Sequence, residues 1–238
     1  MLKAILFDLD GTLLPMDQDE FTKGYFSLLA QKIAPYGYEP KKLIETIWAG
    51  TATMIKNDGK QSNEAVFWDK FSEVYGKEKT EQDRPLFNDF YVNDFEKAKD
   101  FCGYHAKTSE TVRKLKQLEY RVVLATNPIF PKSATESRIR WAGLEPSDFE
   151  FITTYENTSY CKPNPDYYRD IAERLGVPPE ECLMVGNDVS EDMVAETVGM
   201  KVFLLTNCLI NKERSDISVY PRGNFKQLIN FIKEKITE

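Results

Sequence analysis

The stretch Ala4-Ile5-Leu6-Phe7-Asp8-Leu9-Asp10-Gly11-Thr12 decides the fold. Its first four residues form a short apolar run of the kind that is buried on both faces of a parallel sheet. Two carboxylates, two residues apart, follow at once, and Gly11 lets the chain turn sharply with no Cβ penalty. Ligands of parallel α/β sheets bind beyond the carboxyl ends of the strands. Asp8 and Asp10 are therefore placed to reach such a crevice together.

Further along, Arg121 to Ala125, Phe149 to Thr153, Cys182 to Val185 and Val202 to Leu205 read as strands of the same kind. Helical spacing separates them. Val112, Leu115 and Leu118 precede the second strand, and Ile139 and Ala142, with Gly143 as C-cap, precede the third. Tyr168, Ile171 and Leu175 lead to Gly176, Met193, Val194 and Val198 lead to Gly199, and a last helix is expected from about Phe225 to Ile236. This alternation predicts an α/β fold, a Rossmann-like parallel sheet with helices on both faces.

The segment 17–101 breaks the rhythm and reads as wholly helical. Its stripes are Phe21, Tyr25, Leu28 and Leu29; then Leu43, Ile44, Ile47, Trp48, Thr51 and Ile55; then Val66, Phe67, Phe71 and Val74; then Leu86, Phe90, Tyr91 and Phe95. Pro40 suits a helix start, Ser62 an N-cap and Gly76 a stop. Four helices are thus expected as a cap over residues 17–101, packed as a separate bundle, with a catalytic core made of 1–16 and 102–238. The aromatic stripes are read as core, and Gly24 as tolerated within its helix at a cost of about 1 kcal/mol.

Bulk properties narrow the function classes. Of the 238 residues, 42% are hydrophobic and 29% charged, which suits a globular chain with a sizeable core. A net charge of −7 with no dense basic run argues against nucleic acid as a partner. Cys102, Cys161, Cys182 and Cys208 are scattered, giving no zinc site or disulfide framework, and are expected as reduced thiols. No apolar run approaches the roughly 18 residues of a membrane span, and no signal peptide is legible, so a cytoplasmic protein with no membrane partner is expected. The Asn157-Thr158-Ser159 sequon is read as incidental. His105, the sole histidine, is read as a hinge or surface residue, and Cys161 as a packing residue.

Polar residues gather at the strand ends. Thr126-Asn127 follows the Arg121 strand, and a hydroxyl and a backbone N–H there suit phosphate oxygens. Lys162 lies in Cys161-Lys162-Pro163-Asn164-Pro165, where the prolines exclude helix and stiffen the loop. Gly186-Asn187-Asp188 follows the Cys182 strand, with Asp192 four residues on, so Asp188 and Asp192 could face one site across a helix start. A carboxylate can attack phosphorus to give an aspartyl-phosphate, and a second carboxylic acid can protonate the leaving alkoxide and later activate water. Several carboxylates in one cleft repel each other and repel phosphate, which Mg2+ resolves by sharing oxygen ligands with both, while Lys162 adds compensating charge. No G-x-G and no P-loop pattern occurs, which disfavours dinucleotide binding.

In these residues the chain resembles the haloacid dehalogenase-like hydrolase superfamily. Asp8, Asp10 and Thr12 match its first motif, Thr126 the second, Lys162 the third, and Asp188 with Asp192 the fourth. The likeness spans about residues 1–14 and 106–205, and the position of the helical insert matches the family's C1-type cap. Asn187 stands directly after Gly186, where the family usually has Asp, so Asp188 is placed by its spacing to Asp192. The resemblance implies Asp8 as nucleophile and Asp10 as general acid/base, with Thr126 and Lys162 holding the phosphoryl group. It implies a magnesium site made by Asp8, the Asp10 backbone carbonyl, Asp188 and, directly or through water, Asp192. Family members that cleave carbon–halogen or carbon–phosphorus bonds generally lack Asp at position 10, so hydrolysis of a small phosphorylated metabolite is expected. The alternatives are a sugar-phosphate phosphomutase and a non-catalytic phospho-acceptor protein. Thr12 is open between a structural bond and substrate contact, and the chain between monomer and homodimer.

Overall fold

The computed structural model describes residues 1–237. Six parallel strands run β1 (Ala4–Phe7), β2 (Arg121–Leu124), β3 (Phe151–Ile152), β4 (Cys182–Gly186), β5 (Lys201–Leu205) and β6 (Arg222–Gly223). They form one sheet in the order β3-β2-β1-β4-β5-β6. Period-two alternation sends Ile5 and Phe7 into one apolar cluster, with Val112 and Leu115 of α5 (Lys107–Gln117) and Leu228 and Ile232 of α8 (Phe225–Thr237). Ala4 and Leu6 point the other way, onto Tyr167, Tyr168 and Ile171 of α7 (Pro165–Leu175). Both faces are covered, which is why the strand reads as a continuous apolar run. The remaining helix of this layer is α6 (Lys132–Trp141), which ends at Ala142 with Gly143 in the left-handed region. No helix is long and apolar enough to cross a membrane among the described residues.

Between β1 and α5 lie α1 (Gln18–Ile33), α2 (Pro40–Ile55), α3 (Asn63–Tyr75) and α4 (Lys77–Asp89). Local chemistry sets their ends. Asp17 caps α1 by accepting from the Asp19 and Glu20 N–H groups, Pro40 opens α2, and Ser62 caps α3 by accepting from the Ala65 N–H. Gly76, at φ 84°, ends α3. The apolar cluster beneath β1 continues through Phe21, Leu29, Phe71, Phe90 and Phe95 of this insert. Asn63 ties insert to sheet: its Nδ2 lies 3.3–3.4 Å from the Pro128 and Tyr160 carbonyls, Thr158 Oγ1 and Cys161 Sγ.

Some expectations shift. The fourth stripe is not one helix: α4 stops at Asp89 and the chain continues as a π-turn over Phe90–Asp94 and a 3-10 helix over Phe95–Phe101. Gly24 is more than tolerated, since a Cβ there would lie 2.2 Å from the Phe101 ring of that 3-10 segment. The expected helix around Val194 is a 3-10 turn, Met193–Val198, held between the tied side chain of Asp192 and Gly199 at φ 94°. The third strand shortens to two residues. β6 has no apolar run to announce it, because a two-residue edge strand is defined by pairing to β5 alone.

Candidate active site

Strand register brings the expected residues to one level. Phe7 pairs with Leu124 on one side and Val185 on the other, so β1, β2 and β4 end together. Asp8 emerges between the Thr126-Asn127 and Gly186-Asn187 turns, its N–H donating to the Val185 carbonyl at 2.9 Å.

Lys162 spans this crevice from the loop after β3. Its Nζ donates to Asp8 Oδ1 at 2.9 Å and to Asp192 Oδ1 at 2.6 Å. Lys162 and Asp192 are each only 1% exposed, so the contact is made in a low-dielectric interior. Asp192 Oδ2 accepts from the Asp188 N–H at 2.9 Å, which commits both of its oxygens to protein partners. Gly186 leaves room for it: a Cβ there would sit 2.0 Å from Asp192 Oδ2. Asp188 Oδ1 accepts from the Ser190 N–H and hydroxyl, both at 2.8 Å, and from the Glu191 N–H at 3.0 Å. Asp188 and Asp192 therefore meet across a turn, not along a helix.

Thr126 is buried, and its carbonyl accepts from Tyr167 Oη at 2.8 Å and Thr153 Oγ1 at 2.7 Å, fixing the end of β2 to α7. Asn127 Nδ2 donates to Glu191 Oε2 at 3.1 Å, closing the crevice towards Asp192. Thr12 Oγ1 donates to Asn187 Oδ1 at 2.9 Å and Asn187 Nδ2 to the Cys208 carbonyl at 2.6 Å, so Thr12 takes a structural bond. Gly11, at φ 82°, is packed so closely that a Cβ would lie 2.3 Å from Asn187 Nδ2.

Asp10 has a partner that sequence reasoning missed. Its Oδ2 pairs with the guanidinium of Arg138 on α6, a side chain 1% exposed that stacks 4.3 Å from the Phe130 ring centroid. Asp10 Oδ1 is buried with no hydrogen-bond partner. A lone arginine in a helix ordinarily reads as solvated surface. The one available signal was its place next to the inward-facing Ile139. Asn187 and Glu191 were missed for a similar reason, since their roles depend on partners distant in sequence. His105 lies outside this cluster, its ring edge-on to Phe225 at 5.4 Å. Cys161 packs with Met54 and Tyr155.

The electrostatics follow from one lysine bonded to two acids, Asp8 and Asp192, with further acids close by. Burial works to neutralise Lys162, but Asp192 and Asp8 outweigh it and hold the ammonium well above its ordinary range. Burial pushes Asp192 up to about 6, with Lys162 opposing and the Asp8 charge adding to the rise. Glu191 is pushed up to about 7 by burial, against Lys162 and with Asp192, Asp188 and Asp8 adding. Burial likewise raises Asp10, Arg138 resists, and Asp8 adds. A divalent cation suits this crowd of oxygen donors. Among the described residues no three acid, imidazole or thiol side chains enclose an ion unaided.

Comparison with known proteins agrees with this architecture. Residues 2–195 match the family model for haloacid dehalogenase-like hydrolases. Glyceraldehyde 3-phosphate phosphatase of Methanothermobacter thermautotrophicus is 28% identical over 91% of this chain and 91% of its own. Pyrophosphatase PpaX of Bacillus velezensis is 23% identical over 83% of this chain and 80% of its own. Among solved structures, 2-haloacid dehalogenase from Pseudomonas syringae pv. Tomato superposes with a TM-score of 0.66 at 19% identity, covering 99% of this chain and 100% of that one. A phosphatase from Thermococcus onnurineus gives 0.57 at 20% identity, covering 97% and 98%. With a six-stranded parallel sheet, an acid pair leaving its first strand and a family model matched over most of the length, the chain is an enzyme that belongs to the haloacid dehalogenase-like hydrolases.

Proposed function

We propose that this enzyme is a phosphatase that hydrolyses monoesters of small phosphorylated metabolites through an aspartyl-phosphate on Asp8. The observation that carries the reading is the division of labour between two neighbouring acids. Asp8 accepts a bond from the buried ammonium of Lys162, which fixes its carboxyl at the end of β1. Asp10, two residues on, is pushed towards its protonated form by burial and keeps Oδ1 unpartnered. A halide leaves as an anion and needs no acid, whereas an alkoxide needs a proton. The acid at position 10 therefore supports ester cleavage over carbon–halogen cleavage, and relatives named as phosphatases agree with it.

In the first step an Asp8 oxygen bonds to phosphorus as the ester P–O bond breaks, and the leaving oxygen takes the Asp10 proton. In the second, Asp10 as carboxylate removes a proton from the water that attacks phosphorus, releasing phosphate and regenerating Asp8. Lys162 and the Thr126-Asn127 turn hold the phosphoryl oxygens. Asp8, the Asp10 backbone carbonyl and Asp188 would hold magnesium, whose charge offsets the acids and the incoming phosphate. Asp192 serves this set from behind, by fixing Lys162 and the Asp188 backbone.

The test is phosphate release from a panel of phosphorylated metabolites with magnesium. Asp8→Asn is expected to abolish release in a folded protein, and EDTA to stop it reversibly. Undiminished release by Asp8→Asn would remove Asp8 as nucleophile. A lasting phosphoenzyme with no phosphate release would make the chain a phospho-acceptor.

A further inference from the structure

Between the insert and the sheet lies a cavity of about 90 Å³ whose walls come from α1, α2, α3, the end of α4, the π-turn and the loops after β2 and β3. None of Asp8, Asp10, Lys162 and Asp188 lines it, but cavity and crevice share one loop. The loop that begins with Thr126 and Asn127 supplies Ile129, Phe130 and Pro131 to its wall, and the Ile129 N–H turns back onto the Asn127 carbonyl at 2.9 Å. With about 3.8 Å between successive Cα atoms, Ile129 stands within roughly two such steps of Asn127. Phe130 is also the ring on which Arg138 stacks, and Arg138 pairs with Asp10, the acid that faces the leaving oxygen. The cavity thus borders the Phe130–Arg138 pair that flanks Asp10.

Its chemistry is one-sided. Nine of its fifteen wall residues are aromatic and none carries a formal charge. Several polar groups of the wall are already engaged: Tyr25 and Tyr91 bond each other at 2.6 Å, and Thr51 bonds the Ile47 carbonyl at 2.9 Å, while Trp68 Nε1 has no partner among the described residues. Trp48, 51% exposed, stands at the rim. Tyr91 enters from the π-turn, an irregularity of the kind that recurs at functional sites. Polyhydroxylated groups would lose their water here and find few replacement partners. Apolar cavities of about 150 Å³ hold a benzene ring, so this one, at about 90 Å³ and open at the Trp48 rim, encloses a short apolar group or the near part of a ring.

Resting on the phosphatase reading, we infer that this cavity binds a compact, uncharged, apolar leaving group, such as a single aromatic ring, and makes the enzyme select monophosphate esters of apolar alcohols over sugar phosphates. Protonated by Asp10, the alcohol departs while its ring remains in the cavity.

Benzyl phosphate and glucose 6-phosphate are both primary alkyl esters, so their comparison isolates the cavity from leaving-group reactivity. The wild type is expected to favour benzyl phosphate in kcat/KM by about tenfold or more. Trp48→Ala at the rim, and Thr51→Phe filling the cavity, are expected to shrink that ratio roughly threefold or more, mainly through the KM for benzyl phosphate. Equal or better use of glucose 6-phosphate, or a ratio unmoved by both folded variants, overturns the inference. Acetyl phosphate, which carries no ring, separates the two readings. Asp8-dependent release from it without a benzyl preference leaves the phosphatase standing and removes the cavity's role. If no ester is hydrolysed, the phosphatase reading fails and calorimetry with benzyl alcohol decides the cavity. Saturable binding lost in Thr51→Phe supports it, and no binding overturns it.

Discussion

A lysine buried between two acids does not persist on Coulomb attraction alone, because desolvation works against every member of the set. Lys162 holds because Asp8 and Asp192 both reach it, and removing it leaves two buried carboxylates facing each other. Lys162→Met is therefore expected to destabilise the metal-free protein by about 3–5 kcal/mol at neutral pH, read from urea unfolding. An unchanged midpoint would mean that water already reaches the site. Glu191 gives a pH signature. Its carboxyl moves from 4.5 in the unfolded chain to about 7 in the folded one, chiefly through burial. Between those values the folded state binds the extra proton, so stability falls as pH rises through that window. Glu191→Gln is expected to flatten this part of the stability–pH curve. An identical curve in the variant would show that another group sets it.

Elements set the precision of the site. β4 ends in Gly186, where even one methyl group would displace Asp192 and with it Lys162. Gly186→Ala is expected to lower kcat by about a hundredfold, the scale of a 1 Å misplacement, with the circular dichroism unchanged; near-normal turnover would show that Asp192 can shift at no cost. The insert is held over the Lys162 loop by the start of α3, where Asn63 is fully buried among four polar atoms of the sheet side. Asn63→Ala strands those groups and is expected to cost about 1–3 kcal/mol, measured by denaturant titration. A loss far below that range would mean that water replaces the amide.

At the scale of the whole molecule, net charge and fold work in opposite directions. The chain carries −7 overall and concentrates Asp8, Asp188, Glu191 and Asp192 at one crevice, so the folded protein holds a repulsive centre that a cation relieves. Magnesium binding the folded state alone is expected to stabilise it by about 2.7 kcal/mol at one hundred times Kd. The rise in Tm is expected to vanish in Asp188→Asn. An equal rise in that variant would place the ion elsewhere.

The sheet and the acid cluster were legible in the sequence because each rests on contiguous residues. Ile5 and Phe7 alternate with Ala4 and Leu6 between two apolar layers, and Asp8 and Asp10 follow within the same nine residues. The ends of α1, α2 and α3 were readable for the same reason, since caps act over three or four residues. What the sequence could not supply were contacts between distant positions. Arg138 meets Asp10 across 128 residues, Asn187 meets Thr12 across 175, and β6 exists only as the neighbour of β5. The break of the fourth cap helix into π and 3-10 turns, which delivers Tyr91 to the cavity, is likewise a packing outcome that no local periodicity encodes. Short-range hydrogen bonding and strand alternation thus determined the frame and the acid pair that leaves its first strand. Only tertiary packing decided which cation faces each acid and what lines the space beyond them, because burial and pairing are set by partners that the chain brings together on folding.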